Sequence, residues 1–233
     1  MFGDLKNLRY ERMNIIDAIT QRHSTRAFLD KEVSIDQVND ILEAAKYSPS
    51  GANTQPWQVV VVSGDTKIKL QQQIEQAFHA GTPSQIRYQY YPVTWKPIYK
   101  QRRHQCGLQL YQAVNIARED SEARKAQWAA NYRAFDAPIM LLFFIDSSME
   151  AGSFMDYGMF LQSIMLAAME QGLATCPQAA LAEYPDIVNA TLGYSDDHIV
   201  LCGMALGYED KHAPVNNYRT PRESVSSFTH YFD

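Results

Sequence analysis

The chain has 233 residues, 46% of them hydrophobic and 20% charged, with a net charge of -5. That length and balance predict a sizeable core, in one domain or at most two, and exclude wholesale disorder. The acidic excess argues against a protein that coats nucleic acid, so any anion must be held by a few well-placed arginines.

Three cysteines, Cys106, Cys176 and Cys202, include no C-x-x-C pair; they are a poor disulfide framework and fit a reducing compartment. The opening stretch MFGDLKNLRYERMN is polar and has no h-region of a signal peptide. The longest apolar run, IMLLFFI (139–145), falls far short of the ~20 residues of a membrane span. The expectation is a cytoplasmic protein that meets neither membrane nor nucleic acid.

In chain order, NIIDAITQR (14–22) predicts a first helix, apolar at Ile15, Ile16, Ala18 and Ile19. SIDQVNDILEAAKYS (34–48) opens with a capping box, Ser34 and Gln37, and sets Ile35, Val38, Ile41, Leu42 and Ala45 on one face. Further helices are expected over 66–80, 103–118, 121–135, 154–172 and 184–193, with Gly172 and Gly193 as stops. Strands are expected at WQVVVVSG (57–64), PIMLLFFID (138–146), LATCPQ (173–178) and IVLCGMALGY (199–208). Continuous apolar strands are covered on both faces. The class is therefore α+β or α/β, a central sheet with helices on both sides.

Two features suggest a second subunit. The 154–172 helix is apolar nearly all round, as a core or interface helix would be. The polar tail from Lys211 still carries Tyr218, Phe228, Tyr231 and Phe232, aromatics that a disordered tail does not need.

The familiar catalytic devices are missing. There is no G-x-S-x-G, no Walker loop and no G-x-G-x-x-G after a strand, and the six histidines lack metal-ligand spacing. What remains is arginine and polar residues. QRHSTRAF (21–28) places Arg22 and Arg26, four apart, on one face whether the backbone is helical or extended, and the Ser24 hydroxyl between them adds a donor. Guanidinium forks suit phosphate and carbonyl acceptors. On spacing alone, the simpler reading is a solvated basic helix end. SPSGANTQPW (48–57) is too rich in donors and acceptors for a plain connector, and NYRTPRES (217–224) offers Arg219 and Arg222.

In combination, and in this order along nearly the whole chain, RHSTRAF, SPSGANTQPW, GLATCPQAAL (172–181) and GYEDKHAPVNNYRTPRESV (207–225) resemble the nitroreductase family of FMN-dependent oxidoreductases. Residues 90–138 resemble its branch of nitrobenzoate and nitroaromatic reductases. The resemblance implies an α+β fold with a central mixed sheet flanked by helices. It also implies a homodimer that exchanges terminal segments, with FMN at the interface. One domain spans 1–233, with 80–135 as a helical, aromatic-rich insertion over the flavin and 209–233 as an arm reaching the partner.

By the same resemblance, Arg22 and Ser24 bind the FMN phosphate, and Arg26 meets the pyrimidine edge of the flavin. His23 contributes chiefly through its backbone. Arg222, helped by Arg219, closes the phosphate site. Pro49, Ser50 and Asn53 line the flavin from the other subunit, and Pro177, Gln178 and Ala179 pass along one face. NADH or NADPH and a nitroarene or quinone then use one open flavin face in turn, a ping-pong cycle that needs no side-chain nucleophile, no dedicated acid and no metal. A guanidinium near the pyrimidine edge stabilises the negative charge that the reduced flavin gains there. Relatives with another flavin reaction, such as reductive dehalogenation or enone reduction, and a flavin-binding regulatory protein with little turnover are the alternatives.

Nine aromatics lie in the 80–135 region: Tyr88, Tyr90, Tyr91, Trp95, Tyr99, Tyr111, Trp128, Tyr132 and Phe135. For most of them ordinary packing is the simpler expectation. KQRRH (100–104) is a basic patch that would attract an anionic acceptor or form a solvated face.

Overall fold

The computed structural model describes residues 13–232, so the polar stretch 1–12 lies outside the described residues. Among them the elements run α1 (Ile15–Gln21), α2 (Ile35–Ala45), β1 (Gln58–Val62), α3 (Gly64–His79), α4 (Pro97–Ala113), α5 (Ser121–Ala129), β2 (Ile139–Asp146), α6 (Ala151–Glu170), β3 (Ala174–Gln178), α7 (Pro185–Leu192) and β4 (His198–Gly207). All seven expected helices and all four expected strands form.

β2 explains the architecture. Its side chains alternate: Met140, Leu142 and Phe144 enter one core cluster, Ile139, Leu141, Phe143 and Ile145 the other. Helices α3 and α7 cover the first face, with Leu70, Ile74 and Val188. Helices α2 and α6 cover the second, with Val38, Ile41, Tyr157, Phe160 and Ile164. A strand covered on both faces must be apolar at every position, which is why IMLLFFI reads as an unbroken run. Each such side chain contributes about 1.5–3 kcal/mol on burial. Helix α2 starts where its capping box says: the Gln37 backbone N–H donates to Ser34 Oγ, and the Ser34 N–H donates to Gln37 Oε1, both at 3.2 Å.

The strand order is β1-β2-β4-β3, and every pairing is antiparallel. The resemblance implies a mixed sheet; the four strands of this chain pair antiparallel throughout. β2, α6 and β3 do form a parallel crossover, but β4 inserts between the two strands and turns each hydrogen-bonded pairing antiparallel. Where β4 meets β2 the register shifts between Phe143 and Phe144, leaving Leu201 as an extra residue.

Two boundaries also differ from expectation. Helix α4 begins at Pro97, not 103, with the proline in its first turn. None of its residues is buried, so no apolar stripe marked its start. Helix α5 stops at Ala129; beyond it Ala134, Phe135 and Asp136 take left-handed φ values of 52, 52 and 61°, a turn that carries Ala134 and Phe135 into the core. The nine aromatics divide: Tyr132 and Phe135 are core residues and Tyr88 packs against both clusters, Trp95 and Tyr111 are half-buried, and Tyr90, Tyr91, Tyr99 and Trp128 are exposed.

Candidate cofactor-binding site

Helix α1 ends at Gln21, and Arg22 already has extended backbone (φ -54, ψ 131°). The R-x-S-x-R segment is therefore no solvated helix end. It runs beside two other parts of the chain. The Thr25 N–H donates to the Thr175 carbonyl at 3.0 Å, and Leu29 N–H to the Tyr208 carbonyl at 2.8 Å. An isolated bridge joins Phe28 and Glu209. In extended backbone, side chains alternate. Thr25 is fully buried, while Arg22, Ser24 and Arg26 face a cleft of about 1470 Å³.

Asn216 fixes this arrangement. It is 1% exposed and makes three bonds. Its Oδ1 accepts the Arg26 N–H at 2.8 Å, and its Nδ2 donates to the carbonyls of Ala27 and Asp210, each at 2.9 Å. One amide thus brings the C-terminal segment against the first motif, and with it Tyr218, Arg219 and Arg222. The cleft is lined by Arg22, His23, Ser24, Arg26, Arg219 and Arg222 together, six of the residues singled out in the sequence.

Four guanidiniums in one cleft form a strong positive field. Each touches only neutral groups. Arg26 Nη1 donates to the Ser24 carbonyl and to the Tyr218 hydroxyl, both at 3.2 Å. Arg219 Nη1 donates to the carbonyls of Asn216 and Tyr218, and Arg222 Nη1 to Thr220 and Pro221. Among the described residues no carboxylate pairs with any of the four. Glu209 lines the cleft but is matched by His23, whose Nε2 lies 2.9 Å from its Oε1. Burial, and then the nearby Arg222, push the Arg22 guanidinium below its ordinary value. Cys176 lies behind the motif, fully buried; burial raises its thiol pKa against the pull of Arg26, Ser24 and Arg22. Like charges held together without a counter-ion are built to receive a polyanion.

The other six sequence-selected residues lie elsewhere. Pro49, Ser50 and Asn53 belong to the loop between α2 and β1. Its Gly51 N–H donates to Asp156 Oδ2 of α6 at 3.1 Å, and Trp57 at its end stacks on Phe160 at 4.7 Å. Ala52, Asn53 and Gln55 have φ values of 49, 57 and 49°, a strained run of exposed residues. Pro177, Gln178 and Ala179 close β3 and begin a short turn. Gln178 points away from solvent, and its Nε2 donates to the Asn131 carbonyl at 2.8 Å. Neither group lines the arginine cleft.

Two residues of the site carried no signal in the sequence, Thr25 and Asn216, and Tyr218 stood out there only as an aromatic of the tail. Asn216 sits in a polar, proline-punctuated tail that reads as loop. Its role depends on contacts with residues far away in the chain.

Among the described residues no group of three or more His, Cys, Asp or Glu side chains is placed to hold a metal ion. Nor is any helix among them long and apolar enough to cross a membrane.

Comparison with known proteins places the fold. The Nitroreductase family profile matches residues 19–208. The chain is 38% identical over 218 residues to a nitrobenzene nitroreductase of Ectopseudomonas oleovorans, covering 92% of this chain and 95% of that one. It is 35% identical over 213 residues to a 4-nitrobenzoate reductase of Pseudomonas putida, covering 91% and 93%. Among solved structures, the FMN and NADPH-dependent nitroreductase NfnB from sphigopyxis sp. strain HMH superimposes with a TM-score of 0.92 at 37% identity, over 95% of this chain and 100% of that one. By sequence, fold and site motifs alike, this chain belongs to the nitroreductase family.

Proposed function

We propose that this protein is an FMN-dependent oxidoreductase that takes electrons from NADPH or NADH and passes them to a nitroaromatic or quinone-like acceptor. The observation that carries the reading is the cleft that gathers Arg22, Arg26, Arg219 and Arg222, none of them paired with a carboxylate among the described residues. FMN fits the residues present. Its phosphate supplies the missing charge, and the cleft is large enough for a flavin. The relatives reported above act on nitrobenzene and 4-nitrobenzoate by name, and the solved NfnB structure is named for FMN and NADPH.

Bound FMN supplies two-electron transfer between the nicotinamide and the acceptor. The chain's own residues bind and orient it. Arg22 and Ser24, with Arg222 and Arg219 from the C-terminal segment, hold the phosphate, while His23 turns its side chain to Glu209 and offers its backbone. Arg26, steadied by Tyr218, faces the pyrimidine edge and favours negative charge there, which raises the flavin's reduction potential. Pro177, Gln178 and Ala179 pass along one flavin face. Pro49, Ser50 and Asn53 act on the flavin of a partner subunit.

The homodimer belongs to this reading. Ile15, Ile16 and Ile19 on α1 and Met155 and Met159 on α6 are exposed apolar residues on neighbouring helices. Phe228, Tyr231 and Phe232 are 66, 83 and 94% exposed. Residues 209–233 form an arm that lays these rings on a second copy, and 80–135 form an insertion over the flavin within a single domain. The site of action is the cytoplasm.

The test is direct. Purified protein should be yellow, NADPH or NADH should bleach it anaerobically, and a nitroarene should restore the colour. Colourless protein that FMN does not reconstitute would overturn the reading. Bound flavin that neither nucleotide reduces would point to a regulatory flavoprotein.

A further inference from the structure

Tyr88, Tyr90, Tyr91 and Trp95 form a chain of rings that leads outward from the sheet. Tyr88 is its anchor. Its hydroxyl donates to the carbonyl of Leu201, the extra residue of the β2–β4 register shift. Its ring packs edge-on against Phe154 at 5.6 Å and Tyr90 at 6.2 Å. Tyr90 meets Tyr91 at 4.6 Å, and Tyr91 meets Trp95 at 5.5 Å.

Arg103 of α4 completes the set. Its guanidinium lies 5.2 Å from the Tyr91 ring and 5.3 Å from the Trp95 ring. With the 5.5 Å between the rings, the three groups make a nearly equilateral triangle. A guanidinium resting on two rings is held in place, and its N–H edge stays open for a planar anion. Arg102 next to it is already committed to Glu223 at 3.0 Å, whereas no carboxylate pairs with Arg103 among the described residues.

Position and charge both matter. Cys106 of α4 lines the arginine cleft, and Arg103 lies three residues before it on the same side of the helix. Lys96 caps α4 and the first two turns hold Lys100, Arg102 and Arg103, with no acidic residue in the first turn. Cations at the positive end of a helix are unfavourable. Here a chain of net charge -5 keeps three on the helix and one at its cap, and the helix buries nothing.

We propose that Arg103, seated against Tyr91 and Trp95, is a specificity-determining residue that binds the carboxylate of an aromatic acid acceptor, whose ring lies against the exposed tyrosines. This rests on the flavin-reductase reading above and adds the acceptor class.

The experiment compares 4-nitrobenzoate with 4-nitrobenzamide, its neutral counterpart, in the holoenzyme and in Arg103→Gln. Wild-type enzyme should prefer the acid, and the variant should lose about tenfold or more of that kcat/KM ratio. The KM for NADPH should not move. Titration with benzoate, followed by the flavin absorption spectrum, should show matching weaker binding in the variant. An unchanged ratio with unchanged benzoate binding overturns the assignment, and a raised KM for NADPH with an unchanged ratio reassigns Arg103 to the nucleotide phosphate. If the yellow enzyme reduces neither compound, the nitroreductase reading falls, and benzoate binding still decides the role of Arg103.

Discussion

Asn216 and Arg26 lie 190 residues apart in the chain, yet the Asn216 Oδ1 accepts the Arg26 backbone N–H at 2.8 Å. This amide joins the two arginine-bearing segments. In Asn216→Ala the Arg26 N–H and the Asp210 carbonyl lose the partner that Asn216 supplies inside a buried joint. The expected cost is about 1–3 kcal/mol. Urea unfolding should record that loss, and gel filtration should show FMN separating from the variant. Unchanged stability would mean that the joint is held by the backbone pairing alone.

Arg222→Ala tests the phosphate assignment. Arg222 bonds only to its own loop, at Thr220 and Pro221, so its removal leaves the fold intact. A charge-assisted phosphate contact contributes roughly 1.5–3 kcal/mol, or about tenfold to a hundredfold in the Kd for FMN. Fluorescence titration of the apoprotein with FMN measures it, and an unaltered Kd removes Arg222 from the site.

Glu183 carries a pH dependence that can be isolated. Burial pushes its carboxyl above the ordinary 4.5, and the hydrogen bond from Tyr132 at 2.6 Å offsets only part of this. The folded protein therefore binds this proton more tightly than the unfolded chain. The resulting stability is complete below the unfolded pKa and is lost as pH rises through the folded one. Glu183→Gln has no such loss. Its Tm relative to wild type should therefore climb as pH rises above the ordinary carboxylate value of 4.5. A relative Tm that falls over that range would show that the Tyr132 bond outweighs burial.

Gly203 on β4 has no room for a methyl group. An added Cβ would lie 2.3 Å from Leu181 Cδ1 and 3.0 Å from the Leu141 carbonyl. Leu181 belongs to the turn that follows Gln178, so the strain passes to the end of β3. Gly203→Ala should cost about 1–3 kcal/mol and lower FMN affinity together. Thermal melts of apo and flavin-loaded protein separate the two effects.

Much of this was legible in the sequence, for identifiable reasons. β2 shows itself because a doubly covered strand is apolar throughout, and α2 because its capping box is local. Arg22, Ser24 and Arg26 were visible as a pattern, but the extended backbone that aims them depends on Thr175, Tyr208 and Asn216, which are distant in sequence. The start of α4 was hidden because a helix that buries nothing has no stripe. The left-handed turn at 134–136 was hidden because none of Ala134, Phe135 and Asp136 is a glycine. The sheet's pairing was not legible because strand neighbours need not be neighbours in sequence.

That last point bears on how the protein is made. β4 follows both β2 and β3 in the chain, yet it sits between them and pairs with both. Until Gly207 has emerged, β2 and β3 have no partner between them, and the nascent chain carries two open strand edges, that of β2 strongly apolar. Folding must await a late, non-local insertion, which is slow and exposes aggregation-prone surface. A chain broken off before residue 198 would lose more than its C-terminal arginines: it would lack the strand that turns its two halves into one sheet.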